Sequence, residues 1–262
     1  MPHRTMSGSI ILLLAALESV FSGTATKQFS RNVDFIGDGV KVKTINGSIV
    51  VDAYEEETVL IDADIRVRAA SRATAERYLK KVNLLIEKRG NDLLIGIEPM
   101  TMRPLGFFER LFGGAAELQV DFYIKVPKDK AVQAETVNGT VNINGMARPL
   151  VMKTVNGSLT AKGCKASVRA ETTNGSIYLE LSKLLPPDKV SLGTVNGGIT
   201  LVLPKTTAAD MRVSTVNGKI KTDLPLEVVD GWGEGRLRGK INGGGAFIEA
   251  ETVNGNIAVQ SR

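Results

Sequence analysis

An Asn-Gly pair recurs eight times in this chain, at Asn46-Gly47, Asn138-Gly139, Asn156-Gly157, Asn174-Gly175, Asn196-Gly197, Asn217-Gly218, Asn242-Gly243 and Asn254-Gly255. Thr stands two residues before the Asn in every copy except the one that has Lys240 there. The residue between them is apolar or β-branched: Ile45, Val137, Val155, Thr173, Val195, Val216, Ile241 and Val253. Three residues after the Asn an aliphatic returns, as Ile49, Val141, Leu159, Ile177, Ile199, Ile220 and Ile257, and only Gly245 breaks the rule. Agreement at four linked positions marks a structural repeat, and a repeat of this length cannot bury its own apolar face without stacking on its neighbours.

Asn-Gly tolerates positive φ, so an array of hairpins would also use it, and in either case the corner glycine is expected in the left-handed region. Two features favour stacked coils. The circuits that begin at Asn138 and Asn156 match all the way round, with Gly145 over Gly163, Met146 over Cys164, Leu150 over Val168 and Met152 over Ala170. An identical corner in each repeat also places like on like at the strand spacing of about 4.8 Å, where Asn can form a side-chain ladder and Thr a second one. Aliphatics alternate with polar residues in Leu159-Thr160-Ala161 and Ile177-Tyr178-Leu179, which puts the former inside. The expected fold is all-β: a parallel β-solenoid with a β-rich N-terminal cap.

The cap is the interval between the first two corners. Val59 to Val67 and Leu118 to Val126 alternate as amphipathic strands. Between them, Ser71 is placed to cap a short helix over Arg72 to Lys81, and Arg89-Gly90-Asn91-Asp92 reads as a hairpin turn between two further strands. The expected organisation is a leader at 1–25, then one solenoid domain over 26–262, with 52–134 as a cap-like insertion and 135–262 as the main repeat array.

The leader reading rests on Arg4, the apolar run Ile10 to Leu17 and the small residues Gly23-Thr24-Ala25, with cleavage expected after Ala25 and export to the periplasm, cell surface or medium. The run is too short to span a bilayer. The net charge of +5 is dispersed along the chain, so no nucleic-acid partner is expected.

The Thr-Val-Asn-Gly-Ser-Leu-Thr string at 154–160, the Gly239–Gly245 segment and Glu251-Thr252-Val253-Asn254-Gly255-Asn256-Ile257 together resemble the bacterial putative-adhesin family of β-strand-repeat proteins, a domain of unknown function. The resemblance runs from about Phe35 to the end. It implies a β-solenoid at the cell envelope and carries no catalytic residues with it.

Chemistry is sparse. The only histidine, His3, lies in the leader, which leaves the remainder without the base of a Ser-His-Asp or Cys-His mechanism. The single cysteine, Cys164, matches Met146 and is expected in the core. Asp62 with Asp64, Glu171, Glu180 and Glu251 are the acids available for glycoside hydrolysis, but acids fall where the repeat wants solvated polar groups, with Glu135, Glu171 and Glu251 each just before the Thr of a corner. Glycine-rich turns lack the aspartate of calcium-binding repeats, and Gly231-Trp232-Gly233-Glu234-Gly235 reads as a flexible loop, not a phosphate cradle. No metal or cofactor is expected. Phe107, Phe108, Leu111 and Phe112, beside Arg103 and Arg110, form a candidate interface. The functional expectation is a non-enzymatic envelope or secreted binding module, whose partner is an envelope polymer, a cell-surface glycan or a protein. A polymerising scaffold is the alternative, and a polysaccharide-active enzyme is disfavoured.

Overall fold

The computed structural model describes residues 23–98, 116–233 and 235–262. They form an all-β molecule with one short helix and two large, mostly parallel sheets. The chain begins with β1 (Gly23–Asp34), β2 (Gly39–Lys43), β3 (Ile49–Tyr54) and β4 (Thr58–Ala69). Helix α1 (Arg72–Leu79) and the hairpin β5 (Leu84–Arg89) and β6 (Asp92–Ile97) follow, then β7 (Ala116–Pro127). Ser71 caps α1 as expected, its Oγ accepting the Thr74 N–H at 3.2 Å, and α1 turns Ala75 into the core.

From residue 131 the chain alternates between the sheets. The second sheet receives β8 (Ala131–Glu135), β10 (Leu150–Lys153), β12 (Val168–Asn174), β14 (Lys189–Asn196) and β16 (Ala209–Asn217). The first sheet receives β9 (Val141–Asn144), β11 (Leu159–Cys164), β13 (Ile177–Leu181), β15 (Ile199–Leu203) and β17 (Ile220–Thr222). Every crossing from second sheet to first is a Thr-x-Asn-Gly corner. Parallel pairing keeps equivalent positions in register: Leu159 lies between Val141 and Ile177, Leu150 pairs with Val168, and Met152 pairs with Ala170. Because side chains alternate across a strand, this register stacks aliphatics between the sheets, and Val141, Leu159, Ile177, Ile199 and Ile257 are all at most 1% exposed.

From β8 onward the order of strands departs from chain order at one place. After β17 the chain forms the antiparallel hairpin β18 (Leu226–Gly233) and β19 (Arg236–Ile241), which lies along β16. It then returns through β20 (Ala246–Asn254) and β21 (Ile257–Ser261). These last two strands insert between β14/β15 and β16/β17, so the Asn254 corner precedes the Asn217 corner in the stack. Asn242, expected to make a corner of its own, instead sits at φ 48 in the turn that leads into β20, with its Nδ2 donating to the carbonyls of Lys205 and Thr207. Gly231 to Gly233, expected in a flexible loop, belong to β18.

At the other end, strands from the 52–134 interval extend both sheets: β7 and β4 continue the first, which β1 then ends, while β6 and β5 continue the second. The twelve residues of β1 pair antiparallel with β4, Ala25 opposite Val67, and Ala25 is buried. Cleavage after Ala25 would remove three residues of this strand.

The corner glycines correct the expectation of positive φ. Among those in the stack only Gly47 has it, at φ 139. At the others the constraint is space: a Cβ on Gly157 would lie 1.9 Å from the Gly139 carbonyl oxygen, and Gly139, Gly175, Gly197, Gly218 and Gly255 meet the preceding rung in the same way at 1.9–2.0 Å. Gly193, in the middle of β14, has nothing within 4 Å of its Cβ position. Urea unfolding of the variants distinguishes these cases. Gly157→Val is expected to cost about 2 kcal/mol or more through forced separation of two rungs. Gly193→Ala is expected to stay within about 0.5 kcal/mol of the parent or to stabilise it. Equal midpoints for the two would contradict close approach as the reason for the corner glycine.

Candidate binding ridge

Seven rungs line one edge of the molecule where the chain passes between sheets. In spatial order their asparagines are Asn46, Asn138, Asn156, Asn174, Asn196, Asn254 and Asn217. Each Nδ2 from Asn138 onward donates to the Oδ1 of the preceding Asn at 2.7–2.8 Å, which makes one unbroken amide ladder. The ladder starts on β7, where Asn46 Nδ2 donates to the Leu118 carbonyl at 3.2 Å.

Thr residues do not ladder with one another as expected. Each buried hydroxyl instead donates to the corner-glycine carbonyl of the preceding rung: Thr136 to Gly47, Thr154 to Gly139, Thr172 to Gly157, Thr194 to Gly175, Thr252 to Gly197 and Thr215 to Gly255, at 2.8–3.0 Å. The carbonyl that excludes a Cβ from the next glycine is thus also the acceptor for the next threonine. One close approach serves both purposes.

A third column was not read from the sequence. Two residues after the Asn, side-chain oxygens accept backbone N–H groups of the following rung: Ser158 from Ser176, Ser176 from Gly198, and Asn256 from Lys219. At the start of the stack, Asp121 of β7 takes this role for Ser48. The signal was available as the recurrence of Ser, Thr or Asn at that position, although Gly198 and Lys219 interrupt it.

The column before the Asn is the one the fold leaves unused. Val137, Val155, Val195 and Val253 are 37–41% exposed and Val216 is 73% exposed, aligned at the strand spacing beside the amide ladder. Seven rungs span roughly 29 Å at that spacing. Although 23% of the chain is charged, the four columns from the exposed apolar residue to three positions past it carry one charge, Lys219. Depletion of charge around exposed apolar side chains is the composition of a contact surface.

The acids considered for catalysis lie elsewhere, and among them only Asp62 and Asp64 are neighbours. Glu135 and Glu171 sit on the outer face of the second sheet in a row of alternating sign, Lys43, Glu135, Lys153, Glu171, with ion pairs of 2.8 Å from Lys43 to Glu135 and 3.1 Å from Lys153 to Glu171. Glu251 is on β20, separated from Glu171 by Gly193, and Glu180 pairs with Arg262 on the first sheet. Asp62 and Asp64 share a face of β4 beside Gln28 and Tyr123. Burial pushes the Cys164 thiol up to about 11, consistent with its expected place in the core. Phe107, Phe108, Leu111 and Phe112 lie outside the described residues.

No family model matches the chain, and no curated protein is similar to it. Among solved structures, the chain is similar to a putative cell adhesion protein from Clostridium sporogenes, with a TM-score of 0.51 at 13% identity over 91% of this chain and 100% of the other. A putative adhesin from Bacteroides fragilis gives a TM-score of 0.27 at 9% identity, covering 90% and 97% of the two chains. A putative lipid binding protein from Parabacteroides distasonis gives 0.27 at 9%, covering 92% and 97%. The first likeness establishes a shared fold.

Burial opposes ionisation at Glu135 and Glu171, but hydrogen bonds from Lys43 and Gln133 to the former, and from Lys153 and Arg169 to the latter, outweigh it and hold both carboxyls below their ordinary range. Their contribution to stability is therefore present at neutral pH and lost as pH falls through the lowered folded-state values. Thermal unfolding followed by circular dichroism is expected to show a falling Tm below about pH 4. Lys153→Met, which removes the lysine between the two acids, is expected to make that fall shallower. An unchanged acid slope would contradict the assignment.

Proposed function

We propose that this chain is a two-sheet β-solenoid that works as a non-enzymatic binding module of the bacterial envelope, and that it binds through the corner ridge. The observation that carries this reading is the ridge itself: an aligned column of exposed β-branched side chains in a strip nearly free of charge, beside amides whose mutual hydrogen bonds hold them in place. Each Asn amide keeps hydrogen-bonding capacity beyond the ladder, so the strip offers apolar contact and neutral polar groups together. A surface of that kind suits an uncharged glycan or envelope polymer running along the stack.

The kinship in fold with a putative cell adhesion protein agrees with this reading. So does the ion pairing of three acids, since Lys43 and Lys153 occupy Glu135 and Glu171, and Arg262 occupies Glu180. The polymerising alternative finds less support. One end of the stack finishes in the antiparallel strands β1 and β5, the other in β17 and the β18–β19 hairpin, so the two ends do not match as head and tail. In this reading the 52–134 interval is the cap of the solenoid. Export by a leader that ends before Gly23 leaves β1 whole.

A screen of immobilised envelope polysaccharides and cell-surface glycans with the purified protein tests the proposal. The protein is expected to retain a subset of these, and Val155→Glu/Val195→Glu, which places two charges in the strip at exposed positions, is expected to abolish retention without changing the circular dichroism spectrum. Absence of retention, or retention unaffected by the double substitution, would remove the ridge as the binding surface.

A further inference from the structure

Among the described residues, the side-chain ladders are closed at one end and open at the other. At β7 the first rung has its donors taken: Thr44 Oγ1 donates to the Val120 carbonyl at 3.3 Å, Asn46 Nδ2 to that of Leu118 at 3.2 Å, and the Ser48 N–H to Asp121 Oδ1 at 2.7 Å. At the far end, the rung from Thr215 to Ile220 spends its donors inward. Thr215 Oγ1 reaches the Gly255 carbonyl, Asn217 Nδ2 reaches Asn254 Oδ1 and the Lys219 N–H reaches Asn256 Oδ1, each at 2.8 Å. What this rung presents outward is its acceptor set, Asn217 Oδ1 and the Gly218 carbonyl. In the other rungs of the stack the equivalent atoms receive an Asn amide and a Thr hydroxyl.

The core also stops one rung short. Ile220 is half-buried, whereas Ile49, Val141, Leu159, Ile177, Ile199 and Ile257 at the same position are at most 1% exposed. The β18–β19 hairpin covers β16 as far as Thr215, whose N–H donates to the Gly235 carbonyl at 2.8 Å, and β17 ends its sheet with no neighbour beyond it among the described residues. Lys219 and Lys221, both exposed and two residues apart, project from this edge on one face.

We propose that this open rung takes up, by parallel strand addition beyond Thr215, an extended segment of another polypeptide with the pattern Asn-Gly followed by acid, aliphatic, acid. The Asn amide of such a segment supplies the donor that Asn217 Oδ1 lacks, and its aliphatic residue covers Ile220. In-register pairing sets its residues two and four after the Asn against Lys219 and Lys221. Opposite charges in cross-strand contact favour addition, and like charges oppose it. Lysines on an edge strand otherwise discourage pairing, so they act here as a filter.

The same filter argues against a second copy of this chain as the occupant. The corresponding positions of its own rungs are Ser48 and Val50, Thr140 and Asn142, Ser158 and Thr160, Ser176 and Tyr178, Gly198 and Thr200, and Asn256 and Ala258. None of them is acidic. The site meets the exposed valine column only at Val216, its last member, so a failed glycan screen would leave it untouched.

The test uses the whole protein and fluorescently labelled peptides read by anisotropy. The peptide VNGEIEV is expected to bind saturably with one site per chain. Its lysine counterpart VNGKIKV, and VLGEIEV, which lacks the Asn donor, are each expected to bind about tenfold or more weaker. Lys219→Glu/Lys221→Glu, with both substitutions on exposed side chains, is expected to reverse the preference between the acidic and basic peptides. Lack of saturable binding by the acidic peptide, or equal binding of all three, would overturn the proposal. Concentration-dependent filaments of the protein alone, undiminished by the acidic peptide, would overturn it as well by showing that a second copy fills the rung.

Discussion

The carbonyl oxygen of each corner glycine lies where the Cβ of the next corner's residue would be, at 1.9–2.0 Å from that position in the rungs built on Gly139, Gly157, Gly175, Gly197, Gly218 and Gly255. No other residue type permits this approach without displacing backbone. The approach brings the corners to strand spacing at the point where the chain turns, where a bulkier residue would splay the rungs and break the pairing of both sheets. It also delivers that carbonyl to the buried Thr hydroxyl of the next rung. A buried hydroxyl without a partner is costly, so glycine and threonine depend on each other across the rung boundary.

Stacking on this scale makes each rung a template for the next. Neither the amide ladder nor the aliphatic column is complete within one repeat, which is why the interior is held by neighbours and the ends need separate solutions. One end is finished with antiparallel strands, with β7 taking the last donors and Asp121 standing in for a rung side chain. The other end is finished only over β16. The insertion of β20 and β21 between β14/β15 and β16/β17 means that the terminal rung is held in place by the last residues of the chain.

Much of this was legible in the sequence. The corner, the strand alternation, the capped helix and the β5–β6 hairpin all follow from local chemistry, and the match of Leu150 with Val168 and Met152 with Ala170 gave the register. What local chemistry could not give was order. Asn242-Gly243 carries the dipeptide of a corner, yet Lys240 and Gly245 replace the Thr and the aliphatic that a rung needs, and the segment serves as a turn instead. Those two departures were the available sign that the last rung would not follow the one before it. The reason for the glycine was also misread, since a dipeptide that tolerates positive φ is indistinguishable by sequence from one that needs an absent Cβ. The exposed valine column was visible as a pattern, but its exposure became apparent only once the two sheets defined an inside.

The central claim is that identical corners stack in register in the order of the amide ladder, and cysteine cross-linking tests it most directly. In a Cys164→Ser background, neighbouring rungs at about 4.8 Å lie within the Cα separation that a disulfide spans, and rungs two apart do not. Val195→Cys with Val253→Cys, and Val253→Cys with Val216→Cys, should each oxidise to an intramolecular disulfide, while Val195→Cys with Val216→Cys should stay reduced. Rapid cross-linking of residues 195 and 216, with residues 195 and 253 left free, would contradict the account.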